Sequence, residues 1–462
     1  MDNRKPNVIF IIADDLGYGD FGLFGDGSSK TPNIDALCRR GLTLTNYNTP
    51  SPVCAPARAA IFTGRYPHRT GCIDTLEANG LDCISARETL LPQRFKEAGY
   101  ATGLIGKWHG GAFGDEYNPM NRGFDEFFGF RGGWSNYYDY DGHVEDNGIP
   151  YSGGGEYLTK VFTRRADNFI SRHKDSPFFL TVTYNAPHFP FECPEEYVKP
   201  FRDTGKFNDT LATLYGMINC LDEGVGSLVN AVRSANIEDN TIFIFTSDNG
   251  PQLGGAVKRY NCNLHGEKCL TYEGGICVPA VICWPGNTPA GVLSDAYMHG
   301  CDWFPTLCEA CGVNVGDGLP LDGRSVLGTW LGKPDDYGKT RFWQWNRYTP
   351  VSKCNAALRE GSLKLVWPPI DGAMQMTERD IELDGLMKSP ATRLSASEGY
   401  DDSWRIISPP APPELYDLAA DPEEKDNLAV VYPELTARLE REFEVWFDEV
   451  ERERREAVNT SV

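Results

Sequence analysis

No stretch of this 462-residue chain is apolar for long enough to cross a bilayer, so a membrane-spanning helix is excluded. The longest apolar runs, around Val8–Ala13 and Ile242–Phe245, have the length of strands. Basic residues are also scarce: 44 Lys and Arg stand against 65 Asp and Glu, a formal net charge of −21. Nucleic-acid binders carry a basic footprint, so a nucleic-acid partner is excluded as well. An anionic substrate would need a local cluster of cations or a metal, and the acid excess otherwise reads as a soluble surface. Internal repeats and low-complexity tracts are absent. The fourteen cysteines are scattered and read mostly as reduced thiols. Cys308-Glu309-Ala310-Cys311 has C-x-x-C spacing without a second pair nearby, and reads as two helix-facing thiols. Met1 to Pro6 leads straight into a strand without the charged-then-apolar segment of an export signal. The expectation is a cytoplasmic protein if the chain is complete, and a secreted or periplasmic one if a leader has been removed.

What is present has the size and composition of two domains, with 41% hydrophobic and 24% charged residues. Val8–Ala13 is a continuous apolar run, as expected of a strand buried on both faces. Thr102–Gly106 is a weaker strand, while Phe178–Tyr184, Thr241–Thr246 and Val278–Trp284 are stronger. Between the third and fourth of these lies a helical stretch with Leu211, Leu214, Tyr215, Ile218, Leu221, Leu228, Val229 and Val232 near the 3.6-residue period. Such alternation predicts an α/β fold with a large, mostly parallel sheet flanked by helices over 1–337. The pattern changes over 338–462, read as a smaller C-terminal α+β subdomain. Short strands at Arg341–Asn346, Ala356–Leu358 and Leu363–Trp367 predict a small antiparallel sheet. A terminal helix after Pro433 carries Leu435, Leu439, Phe443, Trp446, Phe447 and Val450 as its apolar stripe, and its Glu- and Arg-rich face reads as solvated. The acidic stretch Met374–Asp402 reads as a loop over the site or a simple excursion.

Unusual polar residues follow the predicted strands. Asp14 and Asp15 follow the first, Lys107-Trp108-His109 the second, Asn185-Ala186-Pro187-His188 the third, and Asp248-Asn249-Gly250 the fourth. In open α/β sheets ligands bind beyond the carboxyl ends of the strands, so four such clusters can converge on one site. Asp14, Asp15, Asp248 and Asn249 are hard oxygen donors suited to Ca2+ or Mg2+. Adjacent carboxylates repel unless a cation or basic group sits nearby, which favours a metal over a pair of ordinary turns. Cys54 precedes Pro56 in Cys54-Ala55-Pro56-Ala57-Arg58, at a helix N-terminus where an anion is favoured. By position alone, a small buried thiol is an equal reading for it.

Cys54-x-Pro56-x-Arg58 resembles the sulfatase signature, in which the cysteine is converted to formylglycine. The resemblance continues through Asn7–Asp15 with Leu16-Gly17-Tyr18-Gly19-Asp20, and through Thr31–Asp35 and Gly64–Gly71. It also takes in Gly106–His109, Ala186-Pro187-His188, Ser247–Gly250, Lys268 before Thr271–Gly275, and Leu415–Leu418 with Asp421-Pro422-Glu423. It covers nearly the whole chain in order and implies an alkaline-phosphatase-like fold. Two positions depart from the pattern: Ala57 stands where serine is usual, and Cys277 where arginine is common. Cys262, His265 and Cys269 crowd around Lys268; zinc is open to them by residue type, and a substituted pocket wall is preferred.

The resemblance implies a sulfuric ester hydrolase. Hydrated formylglycine at position 54 presents one hydroxyl to attack sulfur and a second to expel sulfate. A divalent metal, Ca2+ or alternatively Mg2+, would be held by Asp14, Asp15, Asp248, Asn249 and residue 54. Arg58 would fix the nucleophile, Lys107 and Lys268 would clamp sulfate, and His109 would assist elimination. His188 is the expected general acid, with Lys268 its rival. In the aromatic loop Arg131–His143, the residues Trp134, Tyr137, Asp139 and His143, with His265, are candidate substrate contacts. The expected substrate is a sulfated carbohydrate, with a small aryl sulfate second. A phosphonate monoester hydrolase or phosphodiesterase of the same superfamily is the rival activity. A formylglycine-generating maturation enzyme is the implied partner, and oligomeric state is left open.

Overall fold

The computed structural model describes residues 4–334, 338–387 and 394–459. Its first sheet contains ten strands: β1 (Asn7–Ala13), β2 (Leu42–Asn48), β3 (Ala101–Lys107), β4 (Glu126–Phe130), β5 (Glu145–Asp146), β6 (Ile149–Pro150), β7 (Phe178–Thr183), β8 (Thr241–Ser247), β9 (Ala280–Cys283) and β10 (Val292–His299). They lie in the order β10-β2-β9-β8-β1-β7-β3-β4-β5-β6. The centre, β8-β1-β7-β3-β4, is parallel throughout. β9 falls within the expected Val278–Trp284 segment but runs antiparallel to both β2 and β8. β2, β4 and β10 carry too weak an apolar alternation to be foreseen; β10 is largely exposed at the sheet edge.

β1 shows why the centre is continuous in apolar sequence. Ile9, Ile11 and Ala13 face one core, and Val8, Phe10 and Ile12 face the other, so the period of two is filled with apolar residues on both sides. The first core is closed by the helices Leu158–His173 and Asp209–Ser234, the second by Cys54–Thr63, Leu91–Glu97 and Trp303–Ala310. Each fully buried Ile, Leu or Phe contributes roughly 1.5–3 kcal/mol. In Asp209–Ser234 all eight expected apolar positions are buried, and the Asn208 side chain caps the helix by accepting from the Leu211 N–H at 2.8 Å. No helix among the described residues is long and apolar enough to cross a membrane. All fourteen cysteines are free thiols, Cys308 and Cys311 among them.

A second, antiparallel sheet comprises β11 (Arg341–Gln344), β12 (Ala356–Glu360), β13 (Leu363–Trp367) and β14 (Glu414–Asp417). The expected domain boundary at 337/338 adjoins residues 335–337, outside the described residues. The terminal helix Pro433–Asn459 lays Leu439, Phe443, Trp446, Phe447 and Val450 on this sheet and on Tyr66 of the main domain. Its charged face differs from the solvated one expected. Glu453 pairs with Arg65, Arg69 and Arg87, and Glu449 with Arg69, so part of that face is an ionic seam against the segment after the Cys54 helix. Within Met374–Asp402 the structure forms the helix Glu378–Met387, while 388–393 lie outside the described residues.

Trp446 stacks on Phe342 with centroids 4.9 Å apart and meets Tyr66 at 5.2 Å. Replacing it by alanine should cost about 3–5 kcal/mol, read as a lower urea midpoint. A loss below about 1 kcal/mol would show that the terminal helix is not part of the cooperative fold.

Candidate active site

The site is built by register. Ala13 lies opposite Ser247, Ile12 opposite Thr183, and Thr183 opposite Gly106. The neighbours β8, β1, β7 and β3 therefore end at nearly one level, and the residues just beyond them share one edge. Asp14 and Asp15 leave β1, Asp248 and Asn249 leave β8, Lys107 closes β3 and leads to His109, and His188 lies in the turn after β7. All are buried. Asp15 (φ 64°) and His109 (φ 52°) hold left-handed backbone, a cost of order 1–3 kcal/mol each that packing must sustain.

The carboxylates meet cations. Arg58 Nε donates to Asp248 Oδ2 at 2.9 Å and its Nη1 to the Lys107 carbonyl at 3.0 Å. Lys107 Nζ donates to Asp14 Oδ2 at 2.7 Å, and Lys268 Nζ to Asp15 Oδ2 at 2.7 Å. Asn249 Nδ2 donates to Asp15 Oδ1 at 2.8 Å. Burial first, then Asp248 and Asp15, push Asp14 up to about 7 against the pull of Lys107 and Arg58. Burial also acts to raise Asp15, but Lys268, His188 and Asn249 outweigh it and hold that carboxyl below the usual range. Asp14 Oδ1 and Asn249 Oδ1 are buried acceptors with no hydrogen-bond donor. Single ligand atoms of Asp14, Cys54 and Asp248 lie within 4.8 Å of one another, as do those of Asp14, Asp15 and His188. Orphaned hard oxygens beside clustered carboxylates fit a divalent cation such as Ca2+ or Mg2+. Behind them Arg259, buried and bidentate to Asp20, holds the turn after β1.

Cys54 begins the helix Cys54–Thr63, which ends at left-handed Gly64 (φ 69°) with its N–H on the Ala60 carbonyl. The thiol is 3% exposed, and burial pushes its pKa up despite Lys107 and Lys268. It is therefore a poor thiolate at neutral pH. Arg58 follows one turn later, so its ion pair with Asp248 sets the position of the helix start.

Two histidines flank this centre. His109 Nε2 is 3.9 Å from Glu77 Oε1, and Glu77 also accepts the Gly133 N–H. A Cβ on Gly133 would lie 2.6 Å from His109 Cε1, so this close approach requires glycine. His188 Nδ1 lies 2.7 Å from the Phe189 carbonyl, the donor position in the neutral ring, which turns Nε2 toward Asp15 Oδ2 at 3.8 Å. Burial and then Lys268 push the pKa of His188 well down, and Lys107 adds to this, so the resting imidazole is neutral.

The expected substrate contacts separate. Trp134 is half-buried, 5.3 Å from the Phe189 ring beside His188. His143 stacks on Phe130, with Nε2 3.2 Å from the Trp134 carbonyl. Tyr137 requires correction. It is fully buried, and its hydroxyl donates to the Asn185 and His188 carbonyls at 2.7 and 2.9 Å, so it braces the His188 turn and has no surface for a substrate. Asp139 is exposed, with its carbonyl accepting from Asn136. His265 is exposed and stacks on Tyr272 at 4.0 Å. Cys262 Sγ bonds the Phe24 carbonyl; neither potential metal cluster among the described residues includes Cys262, His265 or Cys269. A cavity of about 720 Å³ touching Cys262, Cys277 and Arg359 lies between the two sheets and includes none of the catalytic candidates.

Arg347 carries no mark in the sequence. It reaches from the turn after β11 to Asp74 Oδ1 at 2.9 Å, and lies over Trp345. Burial opposes its charge while Asp74 sustains it, and the guanidinium lies within electrostatic reach of residue 54. Nothing nearby in the chain distinguishes it, because its place depends on how the second sheet docks. Glu77 carries no signal either, because its partners His109 and Gly133 lie in other loops of the main domain.

Arg58→Ala would leave Asp248 buried without its guanidinium, an expected loss of about 3–5 kcal/mol of stability by urea unfolding. A variant as stable as the wild type would refute this charge pairing.

The profile of the sulfatase family matches residues 6–313. Arylsulfatase J of Mus musculus is 33% identical over 340 residues, covering 70% of this chain and 56% of its own length. N-acetylgalactosamine-6-sulfatase of Homo sapiens is 32% identical over 362 residues, covering 71% of this chain and 66% of its own length. The chain thus spans between about half and two thirds of these two relatives. Among solved structures, Ps i-CgsB in complex with k-i-k-neocarrahexaose superposes with a TM-score of 0.81 at 29% identity, over 96% of this chain and 93% of that one.

Proposed function

The chain belongs to the sulfatase family, and on that ground we propose that it hydrolyses sulfate esters of a carbohydrate, using Cys54 oxidised to formylglycine and a divalent cation. The observation that carries this reading is the gathering of Cys54, Lys107, Lys268 and His188 around three buried carboxylates at the ends of β1 and β8, with His109 just beyond the neighbouring β3. The buried thiol, held protonated, supports modification of Cys54 over direct thiolate attack. Hydrated, the formyl group supplies two geminal hydroxyls, one for attack at sulfur and one for release of sulfate without water attacking sulfur. A cation held by Asp14, Asp15, Asp248, Asn249 and residue 54 supplies positive charge for a sulfonyl oxygen and the attacking hydroxyl.

The remaining work falls to side chains. Lys107 and Lys268 neutralise sulfonyl oxygens; both already bond carboxylates, so their ammonium groups are oriented before substrate arrives. Arg58 pairs with Asp248 and so holds residue 54 in register. We assign His109, which lies just beyond β3 with Glu77 beside it, to assisting release. We assign the leaving-group proton to His188, with Lys268 the alternative. Its Nδ1 is held by the Phe189 carbonyl, and an incoming anion offsets the two lysines that depress its pKa. A carbohydrate is favoured over a small aryl sulfate by the aromatic and cationic groups around the centre, and is in keeping with the sugars named for two of the similar proteins.

Protein whose residue 54 is the aldehyde by peptide mass spectrometry should release inorganic sulfate from p-nitrophenyl sulfate, and Cys54→Ala should lose about a thousandfold or more. A Cys54→Ala variant with full activity would sink the nucleophile. Faster turnover of p-nitrophenyl phenylphosphonate than of the sulfate would favour the phosphonate hydrolase reading instead. For the cation, chelator-treated protein should gain about 2.7 kcal/mol in thermal unfolding at a hundredfold excess of Ca2+ or Mg2+ over its Kd. The gain should vanish in Asp14→Asn and Asp248→Asn; an unresponsive wild type would refute the site.

A further inference from the structure

Beside the sulfate centre lies an aromatic surface with an unusual mounting. Phe189 follows His188 directly, the two rings 4.3 Å apart, yet Phe189 is 38% exposed. The half-buried Trp134 meets Phe189 at 5.3 Å with the planes tilted by 49°. An exposed apolar ring next to a buried charge cluster costs solvation unless a ligand covers it.

These rings are held from behind. The Trp134 indole N–H donates to Asp384 Oδ2 at 3.2 Å. Asp384 stands one turn after Asp380 on the helix Glu378–Met387, so both carboxylates share a face. Asp380 is buried; it accepts from Asn79 Nδ2 at 3.1 Å and from the Tyr348 hydroxyl. The Thr377 hydroxyl caps the helix by accepting the Asp380 N–H at 3.0 Å. Leu383 and Met387 are buried beneath it. The helix is thus tied through Asp380 to the segment after β11 and to the loop after the Cys54 helix, and through Asp384 to Trp134. The turn that leads into Phe189 is braced independently, because Tyr137 bonds the Asn185 and His188 carbonyls. Rigid aromatic faces lose little entropy when covered.

We propose that Trp134 and Phe189 are the platform for the pyranose ring that carries the departing oxygen, with Asp384 its positioning residue. This rests on the sulfate-ester reading above and specifies it. The C–H groups on one face of a pyranose are weakly polarised and apolar, and pack on aromatic faces, while its hydroxyls stay at the rim. Placed there, the ring brings its ester oxygen to His188, the group next to Phe189 in the chain. The ligand class is a sulfated pyranoside.

The test compares wild type, Phe189→Ala, Trp134→Ala, Trp134→Phe and Asp384→Ala, all with residue 54 in the aldehyde form and with thermal midpoints recorded. Substrates are N-acetylgalactosamine 6-sulfate, glucosamine 6-sulfate, a sulfated carrageenan oligosaccharide, and p-nitrophenyl sulfate, whose leaving group departs readily without such placement. For the sugar that wild type cleaves best, Phe189→Ala and Trp134→Ala should lower kcat/KM by about 10–100-fold, mainly through KM. The ratio of sugar to aryl kcat/KM should fall at least about tenfold. Asp384→Ala should fall in the same direction, and Trp134→Phe should restore most of the loss. An unchanged ratio in the alanine variants overturns the platform, as does a wild type that cleaves p-nitrophenyl sulfate but none of the sugars. A wild type that releases no sulfate from any substrate refutes the sulfate-ester reading itself.

Discussion

Three buried carboxylates at the end of a parallel sheet constrain everything around them. Asp14, Asp15 and Asp248 have almost no exposed surface. Each ion withdrawn from water costs several kcal/mol unless an opposite charge sits close and its remaining lone pairs are filled. Arg58, Lys107 and Lys268 supply those charges. Because Arg58 lies one turn after Cys54, satisfying Asp248 also places the helix start, so a demand of charge compensation positions Cys54. The resting balance still leaves Asp14 Oδ1 and Asn249 Oδ1 without donors, as a cation site would.

The second sheet serves this same edge. Asn355 Nδ2 bonds the Cys269 carbonyl and its Oδ1 accepts the Thr271 N–H, which fixes the segment bearing Lys268. Glu273, further along that segment, is buried against Lys364 of β13 and Asn48 of β2. Arg347 and Tyr348 reach back to Asp74, and the ionic seam of Glu453 holds the terminal helix to Arg65 and Arg69. The C-terminal part is therefore a buttress for the segment that carries Lys268. The helix Glu378–Met387 reaches Trp134 through Asp384.

Much of the main fold is legible in the sequence because β1, β7 and β8 are filled on both faces, and an unbroken apolar run of that length, bounded by turns, fits a strand buried between two layers. The Asp209–Ser234 helix is equally plain from its period. β2 and β10 are not, since both mix polar and apolar residues without clean alternation, β10 because it is largely exposed at the sheet edge. The antiparallel direction of β9 has no local signature: residues 280–283 read the same whichever way the strand runs. For the site, the acids, lysines and histidines are visible as polar groups just past strands. Tyr137 misleads because an aromatic loop looks the same whether its rings point at a ligand or into the core. Phe189, Asp384, Glu77 and Arg347 escape notice since each depends on a partner more than fifty residues away.

By itself the sequence determined the strands that carry the chemistry, the order of the groups beyond them, and the residue types that a cation and a sulfate require. Those are local properties, set by backbone period and by the chemistry of single side chains. Only the tertiary structure decided that β8, β1, β7 and β3 are neighbours ending at one level. It also decided that Tyr137 of a tyrosine-rich loop is buried while Trp134 packs on Phe189, and that a ten-residue helix within an acidic stretch bonds Trp134. Such matters depend on strand order, register and the docking of distant segments, which no stretch of chain specifies alone.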